Sequence, residues 1–300
     1  IHELGHFLFA IKANVYVSKF GIGMGPCIYK KVRNDIEYRI GAFPVGGYVE
    51  MPEETDHLPK GKIVFGEASL FQKTKILMAG SVFNIIFGMI LILIVSLSLS
   101  TGFTTKIEAV GNEIAFDNGY VIMANDTILQ IDGKNVDDYT DFIRQAAALN
   151  EPKNVVVSRE GKEVYLPGVR FGVPINGTEE ASSYGVVFHT KEMPIPERIN
   201  SGIKTFTMFG SLFLESITSI ASGESSIKQF TGPIGITKMI GESAQRSLSS
   251  YGMLFALIAV NIGAINLMPL PALDGSRVVI AVIEKIMKKR IPHKAEELIH

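Results

Sequence analysis

The first residues of the chain carry groups able to bind a cation and move a proton. Residues 2–6 read HELGH. Four positions apart on a helix, His2 and His6 share one face. Their imidazoles can grip one zinc ion, while Glu3 can take a proton from water. Two surface histidines on an ordinary helix are the alternative, and the apolar FLFA that follows fits it poorly. A catalytic zinc needs a third protein ligand and an open position. His57, His189, His293 and His300 stand in polar or terminal settings. Asp274 is better placed, at the end of a long uncharged stretch in INLMPLPALDGSR. An unpaired carboxylate there is costly, and a metal would neutralise it. Pro269 and Pro271 interrupt the helix before it, and Gly275 suits a tight turn after it. The competing reading is that Asp274 only caps the helix that follows.

These residues must be held by elements that the chain signals clearly. Residues 76–105 and 247–273 each lack any charge and are long enough to cross about 30 Å of hydrocarbon. IHELGHFLFAI is too short to span and reads as the second half of a helix. TFTMFGSLFL, between Lys204 and Glu215, suits an interfacial helix. Residues 12–75 hold 10 Lys/Arg and 7 Asp/Glu, residues 106–198 hold 9 and 15, and the tail after Asp274 is basic again. Positive charge stays inside, so 12–75 and the tail are expected in the cytoplasm and the middle segment outside.

Composition narrows the field further. With 47% apolar and 20% charged residues in 300, the chain is not disordered, and a net charge of -1 argues against a polybasic nucleic-acid binder. The single cysteine, Cys27, excludes a disulfide framework and a Cys-rich zinc ribbon. The chain begins with Ile1 rather than Met, so a fragment or processed form is expected.

Residues 104–190 have the texture of a separate domain. VIMANDTILQIDGKNVDDYTDFIRQAAAL reads as strand, turn at Asp132-Gly133, strand, then a helix capped near Asp137 or Asp138. KNVVVSREGKEVYLPGV reads as a hairpin with Gly161 in its turn. NDTILQIDGKNV resembles the PDZ hallmark, with Asn125 where that family usually has glycine. PDZ domains add a peptide to a sheet edge; a β-rich domain without a ligand is the alternative.

HELGH on one apolar segment and NLMPLPALDG on a later one resemble the site-2 metalloproteases, with every fixed position of HExxH and N-x-x-P-x-P-x-L-D-G present. KFGIGMGP (19–26), FPVGGYVEM (43–51), AGSVFN (79–84) and FTGPIGI (230–236) follow the order of the bacterial regulator-of-sigma-E-protease branch. Ser81 and Ser276 depart from that family's usual proline and glycine. The resemblance covers essentially the whole chain. It implies a polytopic α-helical membrane protein with a membrane-associated β-hairpin and one inserted α+β PDZ-like domain. The implied division is 1–103 (membrane core), 104–190 (extracytoplasmic PDZ-like domain) and 191–300 (interfacial helix, third span and tail). It further implies Zn2+ on His2, His6 and Asp274, Glu3 as general base, and Asn266 supporting the oxyanion. Gly46, Gly47 and Tyr48, in a hairpin at AFPVGGYVEM, would bind substrate, and Asn84 would be a polar contact among the core helices on the substrate side. The implied activity is cleavage of single-span proteins in the bacterial cytoplasmic membrane, such as an anti-sigma factor or a remnant signal peptide. A protein tail at the PDZ-like domain is a further implied partner. By the same resemblance, helices are missing at both ends. Two other classes stay open: a membrane-anchored PDZ scaffold without catalysis, and a soluble zincin-like protease.

Overall fold

The structure, a computed structural model, describes residues 1–52, 55, 57–110, 122–146, 151–171, 185–222 and 247–287. FTGPIGI at 230–236, the basic residues from Lys288 onward, His293 and His300 lie outside the described residues. The chain forms two compact units, Ile1–Leu91 with Tyr251–His300, and Ile92–Ser250.

The first unit is built on helices. α1 (His2–Lys12) is followed by strands β1 (Lys19–Arg33) and β2 (Ile36–Glu50), then by α2 (Leu70–Ser98). α2 starts at a reciprocal cap: Gln72 N–H donates to Ser69 Oγ, and Ser69 N–H donates to Gln72 Oε1 at 2.9 Å. Its 29 residues extend about 43 Å, more than enough to cross a bilayer. Residues four apart stack into stripes on a helix. Ile76, Gly80, Asn84, Gly88, Ile92 and Ser96 form one stripe, all buried. Met78, Val82, Ile86, Ile90 and Ile94 form another, all exposed. A helix that hides an amide and a hydroxyl while exposing aliphatic chains is matched to lipid rather than to water.

A second apolar helix, here α5 (Leu248–Asn266), is 19 residues long. Its Val260 and Ala256 carbonyl lie so close to Gly88 that a side chain there would strike both. Small residues allow such close helix contact where no hydrophobic force between helices is available. After α5 the chain bends through Pro269 and Pro271, with Ala272 in the left-handed region (φ +67°), and enters the short helix here called α6 (Asp274–Met287).

The ribbon of β1 and β2 differs from the hairpin expected at AFPVGGYVEM. The tight turn is Asn34-Asp35, both left-handed (φ 52° and 60°), a pair suited to a two-residue hairpin loop. Residues 43–50 are one arm of β2, not a hairpin of their own. Lys19–Ile22 lies opposite Glu50–Gly47 on one side and also pairs with Glu37–Ile40, so β1 and β2 each fold over and pair twice. Gly46 keeps φ +73° as a bend within the strand rather than as a hairpin turn. Ile22, Met24, Ile28, Val32, Phe43 and Val45 leave this ribbon with exposed apolar side chains.

The second unit carries a sheet in the order β7-β6-β4-β3-β8, with β5 beside β4. The strands are β3 (Thr101–Val110), β4 (Thr127–Ile131), β5 (Lys134–Asn135), β6 (Pro152–Arg159), β7 (Lys162–Arg170) and β8 (Val186–Glu192). The turns fall at Asp132-Gly133 and Glu160-Gly161, as their residue types dictate. Asn125 has φ +73°, a conformation that glycine adopts most easily and asparagine next. The helix α3 (Tyr139–Gln145) begins at Asp138, whose Oδ1 accepts from Asp141 N–H at 3.0 Å. Phe142 is fully buried among Phe171, Phe188 and Tyr139. Ile107, Ile128, Val155, Val157 and Leu166 complete that core. α4 (Ile195–Ala221) extends well past the ten uncharged residues noted above, because Pro196 sits in its first turn and Arg198 and Lys204 lie within it.

Candidate metal centre

α1 places His2 and His6 on one face, and its fit against α2 aims them. Gly5 on α1 meets Ala79 and Gly80 on α2 with no room for a side chain. At Gly80 an added carbon would strike His6 Nε2 and reach within 2.9 Å of His2 Cε1. A bare glycine therefore lets both rings lie directly on the α2 backbone. His6 is buried, and its Nδ1 lies 2.7 Å from the Ile76 carbonyl. A carbonyl only accepts, so Nδ1 carries the proton and Nε2 of the neutral ring keeps its lone pair. Nδ2 of the buried Asn84 lies 3.4 Å from Nδ1 of His2.

Asp274 arrives from the opposite end of the chain. Gly275 is helical rather than a turn residue, correcting the expectation. Its requirement is space, since a side chain would run into the carbonyls of Leu267 and Met268. That close return carries the first residue of α6 back to α1. Asp274 Oδ2 lies 3.0 Å from His2 Nε2 and 3.3 Å from His6 Nε2, and the two Nε2 atoms are 3.1 Å apart. Oδ2 is buried and, among the described residues, accepts no well-formed hydrogen bond. Three potential ligand atoms thus face one another across short, nearly equal distances. Ligands on one tetrahedral zinc ion, bonded at about 2.0–2.1 Å, stand about 3.3–3.4 Å apart. The triangle fits such an ion to within a few tenths of an ångström, and a shared cation would satisfy the orphaned oxygen. Among the described residues this is the one cluster of three such groups.

The other residues singled out in the sequence lie as follows. Glu3 is half-buried, and the Gly47 backbone packs on it, with a carbon at Gly47 falling 3.4 Å from Glu3 Cγ. Tyr48 covers Gly21 with its ring, and a carbon at Gly46 would meet Met24 at 2.9 Å. Asn266 is the last residue of α5, half-buried, and its amide makes no hydrogen bond among the described residues. His57 is exposed and His189 lies in β8. Sequence reasoning missed Ile76, whose carbonyl orients His6, and Gly80, which seats both rings. A glycine four residues from Asn84, in a helix of bulky aliphatics, was the available signal.

This geometry agrees with what the chain is similar to. The model of peptidase family M50 matches residues 1–300. Proteins named "Putative zinc metalloprotease" align along nearly the whole chain. One from Fusobacterium nucleatum subsp. nucleatum is 29% identical over 100% of this chain and 88% of its own length. Another, from Clostridium acetobutylicum, is 31% identical over 97% and 85%. The "Membrane metalloprotease ARASP, chloroplastic" of Arabidopsis thaliana is 26% identical over 99% of this chain and 70% of its own. A family match from the first residue to the last, on a chain whose HExxH and LDG segments meet in space, makes this protein a zinc metalloprotease and a member of peptidase family M50, the site-2 proteases.

Proposed function

We propose that His2, His6 and Asp274 hold the catalytic zinc, and that the enzyme cleaves single-span membrane proteins within or at the edge of the bilayer. The observation that carries this reading is the meeting of the three ligand atoms, with Asp274 Oδ2 buried and lacking a hydrogen bond among the described residues. Zinc held there supplies Lewis acidity, polarising a peptide carbonyl and lowering the pKa of water toward about 7. Glu3, one residue from His2, takes the proton of the attacking water and returns it to the leaving amine. Asn266 donates to the growing oxyanion.

A substrate helix has no free backbone groups to offer, because its hydrogen bonds are internal. It must unwind first. The arm of β2 at residues 43–50 suits the unwound strand, as Gly47 packs against Glu3 and the arm pairs only with β1 among the described residues. Edge pairing through Gly46, Gly47 and Tyr48 would hold substrate extended beside the general base. The exposed aliphatic stripe of α2 and the second long apolar helix α5 support a chain that crosses a bilayer more than once, and the bacterial cytoplasmic membrane is the setting we propose. The exposed Ile195, Ile199 and Ile203 of α4 support an interfacial position for that helix. The sheet from β3 to β8, with a capped helix and a left-handed Asn125, supports the PDZ-like reading of residues 104–190, which would sense substrate tails outside the membrane. An anti-sigma factor and a remnant signal peptide are both substrates of the right kind.

The test is metal analysis of detergent-purified protein together with cleavage of a tagged single-span reporter. One zinc per chain and a cut within the reporter's span are expected. Protein free of zinc, or a reporter cut only in its soluble part, would overturn the reading.

A further inference from the structure

His6 has its Nδ1 fixed by a backbone carbonyl, but among the described residues no carbonyl is offered to His2. What faces His2 Nδ1 is the side-chain amide of Asn84, buried on the same α2 stripe as Ile76 and Gly80. Along that stripe, at intervals of four, α2 gives one oxygen to His6, a bare backbone to both rings, and an amide to His2. Since α1 and α2 cross at Gly5 and Gly80, the two imidazoles are matched to Ile76 and Asn84, one turn to either side of Gly80.

An amide can meet a ring nitrogen in two ways. If Asn84 donates from Nδ2, His2 Nδ1 must be bare, and the neutral ring then carries its proton on Nε2. That proton would point into the triangle with Asp274 and His6 and would block binding of a cation. If the amide is turned about its terminal bond, Oδ1 accepts from Nδ1–H and Nε2 keeps its lone pair. The terminal torsion of Asn is broad and roughly two-fold, so the turn costs little. Only the second arrangement makes His2 a ligand. The Asn84 Cβ also lies against the close approach of Gly263, which places the residue between helices rather than on an open face.

We propose that Asn84 is the positioning residue of His2: its side-chain carbonyl accepts the Nδ1 proton, fixes the tautomer and ring plane, and leaves Nε2 free for the metal. This rests on the three-ligand reading above. It replaces a substrate contact with a role toward the ligand itself. Partners of this kind on the distal nitrogen of a ligating histidine change metal affinity about 10–100-fold.

The experiment uses the detergent-purified full chain and measures zinc affinity by competition with a chromophoric chelator. Asn84→Leu, similar in volume but without an acceptor, should bind zinc about 10–100-fold more weakly. Asn84→Asp, which can only accept, should bind at least as tightly as wild type. Nitrogen-15 spectra of the zinc form, assigned with His2→Gln, should show a proton on His2 Nδ1. If Asn84→Leu fails to fold, Asn84→Asp carries the test. Wild-type affinity in Asn84→Leu, or a weakened Asn84→Asp in a folded protein, would overturn the role of Asn84 and leave the three-ligand reading intact. A wild type without zinc would sink both.

Discussion

The two units of this protein are built with opposite polarity. In residues 92–250 the sheet encloses Ile, Val, Leu and Phe around Phe142. Among the described residues there, the one deeply buried charge, Asp126 at 1% exposure, is held at both oxygens by Arg159, with a further hydrogen bond from Met123 N–H. In the described residues of 1–91 with 251–287 the interior holds two imidazoles, a carboxylate, an amide and two serines, while aliphatic side chains face outward from α2. The first pattern suits water outside. The second suits a solvent that cannot hydrogen-bond, where polar groups must find partners inside the protein. Hydrophobic burial builds the sheet unit, whereas close backbone contact at glycines and polar convergence organise the helices.

Glu3→Gln is expected to give the largest effect. Cleavage should fall about 10²–10⁴-fold while zinc stays bound, since the amide cannot take a proton but leaves the ligands untouched. Turnover of the reporter with metal analysis on the same sample checks this, and undiminished cutting removes Glu3 from its role. Next come the two stripes of α2. Gly80→Leu should push both rings aside and cost on the order of 100-fold in activity, with loss of zinc. Val82→Leu, two residues along on the exposed face, should leave both unchanged. If the two behave alike, the inside-out reading of α2 is wrong. Phe142→Ala should destabilise the sheet unit by about 3–5 kcal/mol, read by denaturant melting, with zinc stoichiometry retained. Zinc lost in parallel would mean that the two units do not keep separate cores.

The smallest effect is at Asp138. Burial pushes its carboxyl up, but the Lys204 ammonium at 2.5 Å and the N–H groups of Asp141 and Thr140 outweigh it and hold the group below its ordinary 3.8. A depressed carboxylate stabilises the fold fully above that ordinary value and loses the contribution as pH falls through it toward the folded value. Asp138→Ala, which also removes the cap of α3, should cost about 1 kcal/mol near neutrality. The gap from wild type should narrow in acid, and a gap independent of pH would leave only a neutral cap.

What the sequence made legible follows the same divide. Turns at Asp132-Gly133 and Glu160-Gly161, the cap at Asp138 and the two long apolar helices rest on local chemistry, and each lies where its residue types place it. The ligand candidates were legible because charged groups in apolar stretches are rare and need a reason. The double pairing of β1 and β2 was not, since a pattern of alternating side chains does not say which strands meet or how often. Gly46-Gly47 suggests a hairpin turn, yet the actual turn uses Asn34-Asp35, an equally good local signal eight residues before FPVGGYVEM begins. Gly275 misleads for a related reason, because close approach leaves no mark in a single sequence.

The route taken by Asp274 has one more consequence. Its carboxylate is the first residue of α6, while both imidazoles sit in the first six residues, so a cation shared among them would clasp the two extremities of the described chain. Such a clasp closes a very long loop, and its release by a chelator would restore much conformational freedom to the unfolded chain. The zinc of this protease would then act as a fastener as well as a reagent, and stripping it should loosen α1 and α6 toward proteolysis before the sheet unit responds.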